Sequence, residues 1–411
     1  MIIGPSLRPA SVAALARAPG VATEAKTLPT GLFNEATAGF DDLSEWTLDP
    51  DWSAIPSAVQ KTTGSTSRFL TSADLAIPSG NIWASFTLRG ASVGSIGAQL
   101  QGPFQNNPFA TRLTAQHVAR FTSTGHIRTR LNASAAFDGI IDDFQLVDMN
   151  TILAQPADIY IAAGQSQIAC ENSGGDVDPD KDFWVQRCLY MPGSTNSAIG
   201  STFGEVHACV APLQMSQVTT GVSPMTSFAR EVEKSTAIGR SVLILATAKG
   251  GTKLIGSDAE WNPDGNVGAG GTLYAKMVAM TQTALSLNVG NVLKGLIWGQ
   301  GESDRGPVMD TTYPPAFVNM LSNLRTDLGL PGLPVILIGP EPDDTNTNQA
   351  LFIQTQENLD QDSCQPTALT GVHYVARPSG YLSGDGTHPT SEGHRIAGNL
   401  AAQKFIAKGL L

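Results

Sequence analysis

The sequence predicts an α/β protein: a parallel sheet covered on both faces by helices over residues 151–411, preceded by a smaller β-sandwich over 31–150. Three observations carry this prediction. After residue 150, short continuous apolar runs alternate with helical stretches, as strands buried on both faces do. Before it, short segments alternate apolar and polar residues between Gly, Ser, Asn and Pro breaks, the pattern of sandwich strands. The length, 411 residues, exceeds what a single hydrophobic core usually serves, so two domains are expected.

In chain order, residues 1–30 are rich in Ala, Pro and Thr and read as a flexible or partner-docking arm. Within 31–150, Ile82, Ala84, Phe86 and Leu88 alternate with Trp83, Ser85 and Thr87. Residues 118–121 and 126–128 flank a Ser-Thr-Gly turn and read as a hairpin, and 137–147 read as a turn and a last strand. The stretch resembles the jelly-roll modules attached to carbohydrate-active enzymes, which implies a carbohydrate-binding or attachment role. Beyond 150, strands are expected over 158–163, 242–248, 293–298, 334–339 and 372–376. Helices are expected near 224–237, 271–287, 313–328 and 346–360, with a last one from the N-cap Thr390 to about 407. Ligands of such sheets bind outside the carboxyl ends of the strands.

Composition excludes several classes. With 41% apolar and 15% charged residues the chain is globular rather than disordered. A net charge of −11 argues against a general nucleic-acid binder and fits a neutral or uncharged substrate. No window approaches 18 uninterrupted apolar residues, so no membrane span is expected. Pro5, Arg8 and Pro9 interrupt the amino terminus, which argues against a secretory signal and leaves a cytoplasmic or particle-associated protein. Cys170, Cys188, Cys209 and Cys364 form no CxxC pair, so no zinc site is expected. A bridge among the first three and free buried thiols remain open alternatives.

Four motifs fall at strand ends. Gly164-Gln165-Ser166-Gln167 puts a serine behind an apolar run, where a tight strand-to-helix turn exposes a nucleophile. Asp385-Gly386-Thr387-His388 offers its base: within one turn Asp385 reaches Nδ1–H of His388 while Nε2 faces Ser166. Alone, that spacing is a turn before a helix; beside the serine turn it reads as catalytic. Lys249-Gly250-Gly251-Thr252 can turn backbone N–H groups inward, with Gly251 as oxyanion donor, or simply end a strand. In Trp298-Gly299-Gln300-Gly301-Glu302-Ser303-Asp304, the neutral amide of Gln300 suits a third oxyanion donor. Glu302 and Asp304 are read as structural or substrate-holding, since histidine is the side chain that titrates near neutral pH.

These four blocks, in this order, resemble the SGNH/GDSL hydrolase superfamily and, within it, the sialate O-acetylesterase-like carbohydrate esterases. The resemblance covers about 155–405. It implies a three-layer α/β/α, flavodoxin-like domain and hydrolysis of acetyl esters on sugars through an acetyl-enzyme. It implies Ser166 as nucleophile, His388 as base, Asp385 as its orienter, and an oxyanion hole of the Ser166 and Gly251 N–H groups with Gln300. No metal or organic cofactor is implied. Gln167 stands where the family has Asn, beside the nucleophile. Gln165, Gln167, Trp261 and Glu302 are the candidate substrate contacts; Trp261 either stacks on a sugar or anchors its loop in the core. Arg305 is read as a salt-bridge residue, and His207, His373 and His394 as structural. The expected partner is an acetylated carbohydrate, such as a bacterial surface polysaccharide or a sialic-acid-like glycan. The alternative is a phage or phage-like particle spike that docks on polysaccharide through the amino-terminal region, with other particle proteins as partners. A general α/β-hydrolase is disfavoured, because Ile168 occupies the last glycine position of its elbow.

Overall fold

A computed structural model describes residues 46–411 except 56–57, 65–67, 73–74, 76, 92, 102–104, 110–114, 127, 170–176, 196–200, 217–220 and 269–270. The expected arm over 1–30 and Cys170 lie outside the described residues. In chain order the first strands are β1 (Trp46–Leu48), β2 (Trp52–Ile55), β3 (Ala58–Lys61), β4 (Arg68–Ser72), β5 (Gly80–Arg89), β6 (Ile96–Gln101), β7 (Gln105–Phe109), β8 (Ala115–Ser123), β9 (Arg128–Ala133) and β10 (Gly139–Asp148). They pair as two antiparallel sheets, β1-β4-β9-β6-β7 and β2-β3-β10-β5-β8. Leu70, Ala98 and Leu131 of the first meet Val59, Phe86 and Ile141 of the second in one apolar cluster.

One local expectation needs correction here. The segments around the Ser-Thr-Gly turn are β8 and β9, and they lie in different sheets rather than in a hairpin. β8 runs along β5 from Gly80 opposite Ser123 to Leu88 opposite Ala115, so β5 takes its hydrogen bonds. Ser123 Oγ and the His126 ring, 3.0 Å apart, brace the turn that carries the chain across the core. Both faces of β5 are covered: Trp83, Ser85 and Thr87 are buried as well as Ile82, Ala84, Phe86 and Leu88. That face meets the second half of the protein: Trp83 packs on Trp184 with centroids 5.6 Å apart. Gln116 Oε1, on neighbouring β8, accepts the Trp184 N–H at 2.6 Å.

The remaining strands are β11 (Ala157–Gly164), β12 (Cys188–Pro192), β13 (His207–Ala208), β14 (Ser241–Ala246), β15 (Val292–Gly299), β16 (Val335–Ile338) and β17 (Val372–Val375). They make a third sheet ordered β13-β12-β14-β11-β15-β16-β17, parallel except for the edge strand β13. The five strands expected here are present; β12 and β13 were not foreseen. A five-residue run ending in Pro192 and a two-residue bridge offer too little periodicity to recognise without their neighbours. Cys209 N–H donates to the Cys188 carbonyl across this pair at 3.0 Å, and both cysteines are free and buried.

Alternation along β11 sorts its side chains to the two faces. Ile159, Ile161 and Ala163 join a cluster with Met277 of helix Leu273–Ser286 and with Tyr313 and Phe317 of helix Met309–Asp327. Tyr160 and Ala162 join Phe228 of helix Pro224–Glu233 and Ala397 and Phe405 of helix Ser391–Ala407. Hydroxyls of Ser223, Thr272 and Thr390 cap three of these helices, and each such cap contributes about 1 kcal/mol. Helix Met309–Asp327 starts earlier than expected, leaving Pro314 and Pro315 inside it. Thr311 and Thr312 form the extra turn by bonding to the Val308 carbonyl. Among the described residues no helix is long and apolar enough to cross a membrane.

Strand order positions the site. From β11 the chain moves to β12 and β14 on one side, then returns to β15 on the other. The carboxyl end of β11 is therefore the point where the winding reverses and a crevice opens. Ser166 lies two residues past that end.

Candidate active site

Backbone contact between strand ends builds the floor. The Gly164 carbonyl accepts the Lys249 N–H at 3.0 Å, and the Gly299 carbonyl accepts the Gln165 N–H at 2.8 Å. Gly164 has φ of 121°, and a Cβ there would sit 2.1 Å from the Gly299 oxygen. Only glycine permits this turn and this closeness. Ser166 then opens the short helix Ser166–Ala169, with Ile168 and Ala169 N–H groups bonded to the Gln165 carbonyl. An N–H at the first position of a helix has no partner within it, and the Ser166 N–H has no backbone partner among the described residues.

The structure brings Ser166, His388 and Asp385 together. His388 Nε2 lies 2.9 Å from Ser166 Oγ, and His388 Nδ1 lies 2.7 Å from Asp385 Oδ2. Nδ1 faces a carboxylate and so carries the proton, which leaves Nε2 to accept from the serine hydroxyl. Asp385 Oδ1 accepts from Ser383 Oγ at 2.7 Å, His388 N–H at 2.9 Å and Thr387 N–H at 3.0 Å. Partial burial pulls the Asp385 pKa up. The hydrogen bonds from His388, Ser383 and Thr387 outweigh it and hold the carboxyl well below the usual carboxylate range. The loop closes on itself through Ser383 N–H to the His388 carbonyl at 2.7 Å and Thr390 N–H to the Tyr381 carbonyl at 2.6 Å.

The opposite wall is deeper. The Lys249-to-Thr252 turn has its tip at Gly251, exposed, with φ of 68° and open space where a Cβ would be. Gln300 is 1% exposed, and its Nε2 donates to Asp304 Oδ2 at 2.6 Å, the Thr252 carbonyl at 3.1 Å and Gln165 Oε1 at 3.3 Å. The Gln300 carbonyl accepts from Gln356 Nε2 at 2.7 Å and the Tyr313 hydroxyl at 2.8 Å. Asp304 also takes the N–H groups of Leu254 and Ile255 at 2.8 and 3.2 Å. Burial pushes the Asp304 pKa up against these bonds.

Several expected roles change accordingly. Gln300, expected as third oxyanion donor, directs its amide nitrogen at acceptors inside the loop cluster and so ties three segments together. Gln165 as substrate contact is corrected: it is buried, and its Oε1 accepts the N–H groups of Gly301 and Ser303, each at 3.3 Å. Gln167 is buried too, its carbonyl held by Arg377 Nη2 at 3.0 Å, and its Oε1 has no partner among the described residues. Trp261 as a sugar-stacking wall is corrected: it is 0% exposed, edge-on to Trp298 at 5.2 Å. The apolar indole face found more area to bury in the core than at the crevice.

Glu302 stays at the site, half-buried, in the field of Arg377, Arg305 and His388. Burial pushes its pKa up to about 7, although backbone bonding and the Arg377 and Arg305 guanidinium groups pull it down. Arg305 pairs with Asp344 at 2.8 Å and with Gln349, as a structural ion pair. His207 accepts the Thr202 N–H at 3.1 Å, and burial lowers its pKa to about 3. His373 and His394 are buried. Asp360, Asp362 and His373 bring ligand atoms within 4.8 Å of one another, but Lys408 already neutralises Asp362 at 2.6 Å. The holders Thr252, Arg377, Tyr313 and Gln356 were not singled out from the sequence. Of these, only Thr252 had a signal, its place after the glycine pair.

A family model described as "carbohydrate esterase, sialic acid-specific acetylesterase" matches residues 156–407. A curated relative, described as a probable carbohydrate esterase of Arabidopsis thaliana, is 31% identical over 194 residues, covering 44% of this chain and 68% of its own. A solved structure of an Arabidopsis thaliana protein aligns with a TM-score of 0.49 at 23% identity, covering 61% of this chain and 98% of that one. The structure of NanS aligns with a TM-score of 0.48 at 16% identity, covering 62% and 98%. The family statement below rests on the two sequence matches.

Proposed function

This chain belongs to the sialic acid-specific acetylesterase family of carbohydrate esterases and is a carbohydrate O-acetylesterase; from that premise we propose that Ser166, His388 and Asp385 perform the reaction through an acetyl-enzyme. The observation that carries this is the relay of two short contacts, 2.9 Å from Ser166 Oγ to His388 Nε2 and 2.7 Å from Nδ1 to Asp385.

Ser166 Oγ attacks the acetyl carbonyl as its proton passes to His388 Nε2. Asp385, kept ionised by its hydrogen bonds, stabilises the imidazolium. The N–H groups of Ser166 and Gly251 face the developing oxyanion. His388 then protonates the departing sugar oxygen. In the second half, water gives its proton to His388 and attacks the acetyl-enzyme; the bond to Ser166 Oγ then breaks, His388 returns the proton to Oγ, and acetate leaves.

The preferred substrate is an O-acetylated surface polysaccharide or a sialic-acid-like glycan, in keeping with the family description. We read 151–411 as a three-layer, flavodoxin-like catalytic domain, supported by helices packed on both faces of the parallel sheet. We read 31–150 as a β-sandwich attachment or carbohydrate-binding module, supported by two sheets around one core. The particle-spike alternative has no observation in its favour.

The test is acetate release from p-nitrophenyl acetate and acetylated glycans by the wild type and Ser166→Ala. Equal rates in the two overturn the nucleophile assignment.

A further inference from the structure

The exposed glycine tip at Gly251 is the least constrained part of the oxyanion wall. Glycine adopts many conformations, so an N–H at such a tip points reliably only if something outside it holds the turn. One end is held by the strand: Lys249 N–H donates to the Gly164 carbonyl at 3.0 Å. The other end is Thr252, 1% exposed, whose hydroxyl donates back across the turn to the Lys249 carbonyl at 2.7 Å. That hydroxyl has a single hydrogen, and its direction depends on what else it meets. Trp261 Nε1 donates to the same Oγ1 at 2.8 Å. The indole fills the acceptor side of the hydroxyl and aims its hydrogen at Lys249.

The indole itself is packed inside the core. It is fully buried against Trp298, whose Nε1 contacts the Tyr313 hydroxyl at 3.0 Å. That hydroxyl donates to the Gln300 carbonyl at 2.8 Å. The chain from Tyr313 through Trp298 and Trp261 to Thr252 thus braces both the glycine turn and the Gln300 loop from the core.

We propose that Trp261 is a positioning residue for catalysis, acting through Thr252 Oγ1 to hold the Lys249-to-Thr252 turn so that the Gly251 N–H faces the oxyanion. The inference rests on the reading of Gly251 as an oxyanion donor. A donor left misaligned loses part of its contribution in the transition state only, so turnover falls while ground-state binding stays.

The experiment compares Thr252→Ser, Thr252→Val, Trp261→Phe and the Thr252→Val/Trp261→Phe double variant on p-nitrophenyl acetate, with Ser166→Ala alongside. Thr252→Ser keeps the hydroxyl and should keep kcat. Thr252→Val and Trp261→Phe should each lower kcat roughly 10-fold with KM changed less than about 2-fold. The double variant should be no worse than Thr252→Val alone, because that substitution already removes the bond Trp261→Phe would remove. Turnover in Thr252→Val equal to that in Thr252→Ser overturns the proposal, and so do multiplicative losses in the double variant. If Ser166→Ala is inactive in that case, the mechanism above stands without this brace. If Ser166→Ala is as active as the wild type, both readings fall.

Discussion

The two walls of the site are held in opposite ways. Asp385 and His388 come from one short loop, and their side chains are 35% and 15% exposed. Their geometry comes from contacts within residues 381–390, chiefly the bonds that Asp385 Oδ1 accepts. Across Ser166, Gln300, Thr252 and Trp261 are sealed from solvent and braced by side chains far along the chain, Tyr313 and Gln356 among them. Under the mechanism proposed above, the difference suits what each wall would do. A base has to meet solvent-borne substrate and exchange protons, whereas oxyanion donors must not reorganise as charge develops. Damage should therefore separate: the base wall should lose chemistry with little stability, and the oxyanion wall should lose both.

The largest effect is expected for Asp385→Asn. It removes the charge that stabilises the imidazolium, so kcat should fall about 10⁴-fold. Thermal unfolding should shift by only a few degrees, because the loop is exposed and local. A melting temperature lowered as far as that of an oxyanion-wall variant would erase the contrast.

Next is Asp304→Ala, which strips acceptors from Leu254, Ile255 and Gln300 together. We expect about 2–4 kcal/mol lower stability by urea unfolding and roughly 10²-fold lower kcat. A variant that loses turnover at unchanged urea midpoint would show that the oxyanion wall is no better braced than the base wall.

A subtler difference concerns pH. Glu302 has a folded pKa of about 7, above its ordinary 4.5, because burial disfavours the carboxylate. Its contribution to stability is full below pH 4.5 and is lost as pH rises through 7. Glu302→Gln is neutral throughout, so the wild type should lose on the order of 2 kcal/mol relative to this variant between pH 4.5 and 8. Parallel stability profiles from pH 4 to 8 would contradict this account of the group.

The smallest effect is expected at the contact between the two halves. Arg120 bonds the Val206 carbonyl at 2.7 Å and Glu205 at 2.5 Å. Arg120→Ala should lower stability by about 1 kcal/mol or less and leave kcat on a small soluble ester unchanged. A loss of turnover there would tie the amino-terminal sheets to the walls of the site.

Legibility in the sequence follows the same division. Ser166, Asp385, His388 and Gly251 stand out in the sequence because each sits in a local pattern, a strand end, a three-residue spacing or a glycine pair, and the structure sets Ser166, His388 and Asp385 within hydrogen-bond distance of one another. Gln300 stands out for its amide, but its acceptors Thr252 and Gln165 come from other strand ends and are not written beside it in the chain. Trp261 in a polar loop resembles a sugar platform, and nothing local says that Trp298 and Thr252 wait for it. β8 and β9 look like a hairpin for the same reason: a turn motif records that the chain reverses, not which sheet receives it.

What could be read directly from residue order was the alternation of buried strands and helices after 150 and the motifs that carry the proposed reacting groups, because periodicity and short spacing are local properties of a chain. Folding in three dimensions settled which side chains are sealed in the core, which sheet each amino-terminal strand joins, and where the amide of Gln300 points. Those outcomes depend on surfaces contributed by residues tens to hundreds of positions apart. Burial and hydrogen-bond satisfaction are decided by whichever partners the whole fold brings near, and no single segment contains that information.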